Sequence, residues 1–203
     1  MIALAASHPD WVVGFADETW WSRLAQPTVH TWTDGEPCRL VAQAVAKDDP
    51  DPKALASYGL LVRQDAPPAP AGEEVWLRFV DGRPVSAITT QFLTWCCARL
   101  AAAGIAMLVL IWDNASWHVS GAVRRWLRAH NQRVHREGGV RIVPCCLPTK
   151  SPWLNPIEPK WVHGKRRIVE PTRLLTAREV EERVCAALGC PLTDHLAIPQ
   201  ELA

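Results

Sequence analysis

What the chain lacks narrows it first. No apolar run approaches the roughly 20 residues of a membrane-spanning helix, since the longest, Leu100 to Trp112, is short and contains Gly104. No membrane partner is expected. Met1 to Ala6 has no basic stretch and runs straight into Ser7-His8-Pro9-Asp10, so no secretory leader is expected and a cytoplasmic location is. Cysteine is present, but the seven residues are odd in number and no two stand as C-x-x-C, which argues against a zinc ribbon or a disulfide framework. Reduced thiols filling small core sites fit better. There is no surplus of charge either, the net value being +1.

What is present suits one domain over residues 1–203, with 48% apolar and 21% charged residues. The charge is unevenly spread: residues 1–120 carry −5, residues 121–183 carry +8 and the last twenty −2. A basic segment of that kind suits a phosphate backbone. Arg124, Arg125 and Arg128 read equally well as a solvated helix face, whereas Lys160, Lys165, Arg166 and Arg167 favour DNA.

Val-, Leu-, Trp- and Tyr-rich runs broken by Asp-Gly, Asp-Pro and Pro-rich punctuation predict strands near 11–17, 39–47, 55–63 and 74–80, with a loop over 64–72. Apolar residues at helical spacing predict a helix over 86–103, then a buried strand over 106–112 and a helix from Val119 ended by Gly138-Gly139. A short strand, Val140 to Cys146, leads into a Pro-rich loop. Thr176 and Glu179 form a capping-box pattern heading a helix over 177–188 that stops at Gly189. This alternation implies an α/β fold, a parallel half-sheet behind an antiparallel first half.

Two phrases carry the chemistry: Asp113-Asn114-Ala115-Ser116-Trp117-His118, and Leu147-Pro148-Thr149-Lys150-Ser151-Pro152-Trp153-Leu154-Asn155-Pro156-Ile157-Glu158. Asp113 follows a buried strand, so it sits at the strand's C-terminal mouth, where α/β sheets collect ligands. Asp17, after the apolar run Trp11 to Ala16, could reach the same edge, and three converging carboxylates would make a magnesium site. Each has a plainer reading. Asp113 and Asn114 suit a turn, and Glu158, three residues after Asn155, could close a capping box. Asp17 and Glu18 are strand neighbours, so only one of them can face the site.

The order Asp17-Glu18, Asp113-Asn114 with His118, then Ser-Pro-x-Leu-Asn-Pro-Ile-Glu ending at Glu158 resembles the catalytic domain of DDE transposases in the mariner-like superfamily, on its bacterial insertion-sequence side. The resemblance covers nearly the whole chain. It implies a ribonuclease H-like fold, a mixed central sheet with helices on both faces. The implied activity is metal-dependent DNA cleavage and strand transfer by in-line attack on phosphodiesters. The implied catalytic and metal-binding triad is Asp17, Asp113 and Glu158, which would hold two Mg²⁺ ions, with Mn²⁺ able to substitute; Asp113 would bridge them. Lys150, Trp153, Asn155, Lys160, Lys165, Arg166 and Arg167 become candidates for contacting DNA, and Glu18, Asn114 and His118 for supporting the triad. Trp117 and Trp153, in loops beside the triad, could stack on an unpaired base or simply pack beneath their loops.

Two features depart from the family pattern. Asp113 and Glu158 are 45 positions apart, a long separation whose surplus falls in the polar stretch His130 to Gly139. Only sixteen residues precede Asp17, so an N-terminal helix-turn-helix DNA-binding module is expected to be absent; the chain then reads as one part of a split gene with a separately encoded helix-turn-helix subunit, as a truncated copy, or as a catalytic domain whose targeting is supplied elsewhere. The expected partners are element-end and target DNA, that subunit, and a second copy in synapsis; the expected location is nucleoid-associated. The competing readings are an inactive remnant that at most binds DNA, and a related nuclease.

Overall fold

The apolar runs pair into a six-stranded mixed sheet in a computed structural model that describes residues 2–25, 34–35, 43–64 and 72–198. After a short helix α1 (Ile2–Ala5), β1 (Trp11–Ser22), β2 (Ala54–Gln64) and β3 (Gly72–Asp81) form an antiparallel meander. Helix α2 (Ser86–Ala102) leads to β4 (Met107–Trp112), and α3 (Gly121–Glu137) leads to β5 (Arg141–Cys146). β4 lies parallel to β1, and β5 parallel to β4. After α4 (Glu158–Ile168) and α5 (Ala177–Leu188), a two-residue strand β6 (Leu196–Ala197) pairs with β3, giving the order β5-β4-β1-β2-β3-β6.

The central strands are buried on both faces. Leu108, Val109 and Leu110 of β4 are fully covered, which is why that strand reads as one continuous apolar run rather than an alternation. One face packs against α2 and α3 through Leu60, Leu108, Phe92 and Val123; the other packs against α4 and α5 through Phe15, Val109, Trp161 and Val180. These are the mixed sheet and two helical layers expected from the sequence. No helix among the described residues is long and apolar enough to cross a membrane.

The boundaries differ in informative ways. β1 runs on to Ser22, because Thr19 and Trp21 continue the alternating burial and the pairing with β2 persists to Ser22 opposite Ala54. The strand expected over 39–47 is not formed where it is described: residues 43–46 have no regular structure, and residues 39–42 lie outside the described residues. The Gln43 side chain explains the outcome. Its oxygen accepts from the Ala25 amide at 2.9 Å and its nitrogen donates to the carbonyls of Glu170 and Arg173 at 2.7 and 2.9 Å, so it cross-ties loops. Most of the expected loop, 65–71, also lies outside the described residues. The long polar stretch after His130 extends α3 by two turns, ended by Gly138 with φ of 83°. That extra length lies far from the end of β4, so it leaves Asp113 in place. α5 carries the expected capping box between Thr176 and Glu179 and ends at Gly189, φ 68°. Cys96, Cys97, Cys185 and Cys190 are buried as expected, while Cys146 is exposed; Cys38 is outside the described residues.

Candidate active site

The parallel pairing of β1 with β4 ends at Phe15 opposite Ile111. Asp17 and Glu18 therefore stand just past it, beside Asp113, which follows the last residue of β4. Consecutive strand residues face opposite ways, and here the two acids separate. Asp17 shares the face of Phe15 and Trp21, toward α4, while Glu18 turns toward α2 and α3.

On the α4 side, the Trp161 indole N–H donates to Asp17 Oδ2 at 2.9 Å. Trp161 reaches that position because Gly59, the β2 partner of Asp17, has no side chain: a Cβ there would lie 2.2 Å from the Trp161 ring. Burial, then the negative charges of Glu158 and Glu18, push the Asp17 carboxyl up to about 7, against a smaller downward pull from the Trp161 bond.

On the other side a buried imidazole joins two acids. His118 Nδ1 donates to Asp113 Oδ1 at 2.8 Å and Nε2 donates to Glu18 Oε1 at 2.6 Å. Its side chain is 1% exposed and stacks on the Trp112 ring, with centroids 4.7 Å apart. Burial alone would depress this group, but hydrogen bonds to two carboxylates and their charges overcome it and raise His118 to about 9, so it donates from both nitrogens. Asp113 shows the reciprocal effect. Its bond from His118 and a second from the Ala115 amide hold it below the ordinary carboxylate range, while burial opposes them. His118 lies in the turn before α3, which starts at Gly121 with Ser120 as its cap. Both supporting groups, His118 and Glu18, have buried side chains, 1% and 8% exposed.

The loop after β5 is tied to the same place. Asn114 donates to the Leu147 carbonyl at 2.6 Å, and Lys150 takes a left-handed backbone with φ of 58°. Asn155 Nδ2 donates to the carbonyl of Ala16, the residue before Asp17, at 3.1 Å. Asn155 is 2% exposed, so the DNA contact expected of it is corrected: its side chain fastens the loop to β1. The capping box from Asn155 to Glu158 does not form either, because Ile157 occupies the cap position and no side chain caps the helix. Glu158 is thus free of a capping duty and opens α4, three residues before Trp161.

Asp17, Asp113 and Glu158 line one cleft of about 360 Å³, together with Asn114, Lys150 and Asn155. Among the described residues, no three His, Cys, Asp or Glu side chains stand in metal-ligating positions; Asp113 is instead turned onto His118. The other DNA candidates scatter. Trp153 is 75% exposed in the loop, Lys160 is ion-paired with Glu73 on β3 at 3.0 Å, and Arg167 faces the Ala187 carbonyl at 3.5 Å. Lys165 lines a separate groove beside Trp20, and Arg166 is exposed. Trp117 is half-buried edge-on to His118. Two participants were missed in the sequence: Trp161, whose three-residue spacing from Glu158 puts it on the same helical face, and Gly59, which only the β1–β2 register reveals.

Comparisons with known proteins agree with this fold. Solved Mos1 structures share the fold: a strand transfer complex (16% identity, TM-score 0.55), a transposase paired-end complex with the left transposon end (16%, 0.56) and a mariner paired-end complex with Mn (17%, 0.55). Each match covers 90% of this chain and 48% of the other, so the chain spans about half the length of the structures it matches. No curated protein matches it in sequence. A family model described as DDE superfamily endonuclease matches residues 72–181, just over half of the chain and including Asp113 and Glu158. The chain belongs to the DDE superfamily endonuclease family.

Proposed function

We propose that this domain cuts DNA phosphodiesters and joins the freed ends, as the transposase of a bacterial insertion sequence, using Asp17, Asp113 and Glu158. The observation that carries the reading is that these three acids, from β1, the end of β4 and the start of α4, line one cleft. Family membership supports it, as do the Mos1 complexes, which hold paired transposon ends and in two cases Mn or Mg.

The donor set fits a hard divalent cation. The three groups offer oxygen ligands only, and Asp17 is raised first by burial and then by repulsion from Glu158 and Glu18, a repulsion that a cation would relieve. Asp17, Asp113 and Glu158 would hold two Mg²⁺ ions, with Mn²⁺ as a substitute. Such ions activate the attacking oxygen, stabilise the leaving oxygen and neutralise the phosphate between them. The chain supplies position. Trp161 aims Asp17, and His118 with the Ala115 amide aims Asp113. Asn155 locks the loop that delivers Glu158 to the strand bearing Asp17. Lys150 on the cleft wall and exposed Trp153 beside it are placed to meet phosphate and base. Water serves as nucleophile for cleavage and a 3′-hydroxyl for joining. The partners are DNA, a separately encoded helix-turn-helix subunit and a second copy in synapsis, in a nucleoid-associated cytoplasmic protein.

One observation favours a non-catalytic remnant that only binds DNA: the acids are not gathered in metal-ligating positions. The two readings separate in a nicking assay on element-end DNA with Mg²⁺ or Mn²⁺. Asp113→Asn should keep the fold, since an amide oxygen still accepts from His118, while cleavage falls by at least about a hundredfold. Undiminished nicking by that variant would remove Asp113 from the reaction, and no nicking by the parent chain with its partner subunit would favour the remnant.

A further inference from the structure

The described arginines differ in whether a carboxylate pairs with them. Arg23, Arg63, Arg99, Arg173, Arg178 and Arg183 each stand within ion-pair distance of a carboxylate. Among the described residues, nine exposed arginines have no such partner: Arg83, Arg166 and Arg167 stand elsewhere, Arg133 lies off to one side of α3, and Arg124, Arg125, Arg128, Arg136 and Arg141 gather on one side of α3 and the start of β5.

Their placement is ordered. At 3.6 residues per turn, Arg124, Arg125, Arg128, His135 and Arg136 fall within an arc of about 120° on α3, away from buried Val123, Leu127 and His130. Glu137, the one acid of α3, lies round the helix from that arc. Arg141 opens β5 and, with Arg128, Gln132, His135 and Arg136, lines a groove of about 670 Å³. α3 begins three residues after His118, at the carboxylate cleft, and its far end reaches the opposite end of β4, where Arg141 pairs with Met107. From Arg124 to Arg136 the stripe is about 18 Å long at 1.5 Å per residue, and it leads away from the cleft.

Helix stability does not account for it. Basic residues at the C-terminal end suit the helix dipole, but Arg124 and Arg125 stand near the N-terminal end, where cations oppose it and where the first turn holds no acid. Arg124 and Arg128 are like charges at i and i+4, which repel. A solvated face ordinarily mixes both signs; this one lacks its acids.

We infer that this face is a track for the phosphate backbone of duplex DNA, continuous with the cleft and guiding the duplex away from the point of cleavage. The inference rests on the proposed reaction for its choice of DNA. A stripe of about 18 Å matches roughly five phosphates of one strand at about 3.4 Å each along the duplex axis, a regular anion array for which unpaired arginines are the suited donors.

The test is Arg125→Gln/Arg128→Gln/Arg136→Gln/Arg141→Gln in the full chain, its fold checked by circular dichroism and melting. Binding of a fluorescein-labelled random-sequence duplex of about 24 base pairs is followed by anisotropy across a NaCl series. The salt slope on logarithmic axes should become shallower by about 3 to 4, and affinity at about 0.1 M salt should fall at least tenfold. Arg178→Gln, which removes an arginine paired with Glu182 outside the stripe, should keep the steep slope. Coincident slopes for the folded variant and the parent would overturn the inference, as would retained DNA binding with lost binding of polyglutamate, which would make the face an acidic-protein site. The proposed reaction fails separately: a parent chain that never nicks DNA while the slopes differ sinks cleavage and leaves the track standing.

Discussion

Two histidines in this fold are each held between two carboxylates, and their settings differ. At the cleft, His118 bridges Glu18 and Asp113 at 2.6 and 2.8 Å with its side chain 1% exposed. At the far edge of the sheet, His195 bridges Asp81 and Glu181 at 2.6 and 3.0 Å with its side chain 28% exposed. The second fastens β6 to β3, helped by Arg78, which donates to the carbonyls of Asp194 and His195. Each ring meets two carboxylates, so the difference lies in the dielectric around them. Away from water a charge pair is attracted strongly and is costly to leave unpaired; at a wet edge both effects shrink. The buried bridge fixes the direction of the Asp113 carboxylate at the cleft, and the wet one closes a sheet margin.

The largest expected effect breaks the buried bridge. His118→Ala leaves Glu18, whose side chain is 8% exposed, without its cation and removes the ring stacked on Trp112, so it should cost about 3–5 kcal/mol in urea unfolding. A loss below about 1 kcal/mol would show that water reaches Glu18 and that the two bridges are alike.

Acidity sharpens the contrast next. His118 is raised from its ordinary 6.5 to about 9, so its contribution is complete below about 6.5 and is lost as pH rises through about 9. Asp17 is an acid raised from 3.8 to about 7; the unfolded chain releases that proton first, so stability falls as pH rises between about 4 and 7. Asp17→Asn should abolish the lower window and stabilise the metal-free protein at about pH 8 by on the order of 2–3 kcal/mol. His118→Ala should flatten only the upper window. Added Mg²⁺ should erase the lower window in the parent chain and change nothing in Asp17→Asn. An unaltered lower window in Asp17→Asn would assign that titration to another group.

How much of this was legible depends on the range of the interaction. The mouth position of Asp113 followed from a local apolar run, and the Thr176–Glu179 capping box from four consecutive residues. The Glu18–His118 bond joins positions a hundred apart and exists only because β1 and β4 pair in parallel up to Phe15 and Ile111, a register no local pattern states. Asn155 looked like a DNA contact or a cap because its partner, the Ala16 carbonyl, is a backbone group on another element. Lys160 looked free for the same reason, with Glu73 on β3 hidden from α4 in sequence. The misread strand near residue 43 had the apolar content of one, but a glutamine cross-tie decided its path.

A smaller effect asks whether the firmness of the cleft extends from Asp113 to Asp17. Gly59→Ala places a methyl 2.2 Å from the Trp161 ring, which has nowhere to move among buried Ile157 and Trp21. Overpacking of that kind should cost about 1–3 kcal/mol. Because the Trp161 N–H pulls Asp17 downward, displacing it should also move the lower pH window upward. A neutral substitution with an unmoved window would mean that Trp161 is not what aims Asp17.

The smallest effect belongs to the wet bridge. His195→Ala leaves Asp81 largely in solvent, 63% exposed, and leaves Glu181 with Arg178 at 3.7 Å, so neither carboxylate is stranded. The loss should stay below about 1 kcal/mol. Its salt response should separate it from His118→Ala as well: at about 1 M NaCl, where the screening length is near 3 Å, the His195 effect should vanish while the His118 effect persists. Equal losses at high salt would mean that the edge bridge is as dry as the cleft bridge, and burial would no longer explain why the two bridges differ in strength.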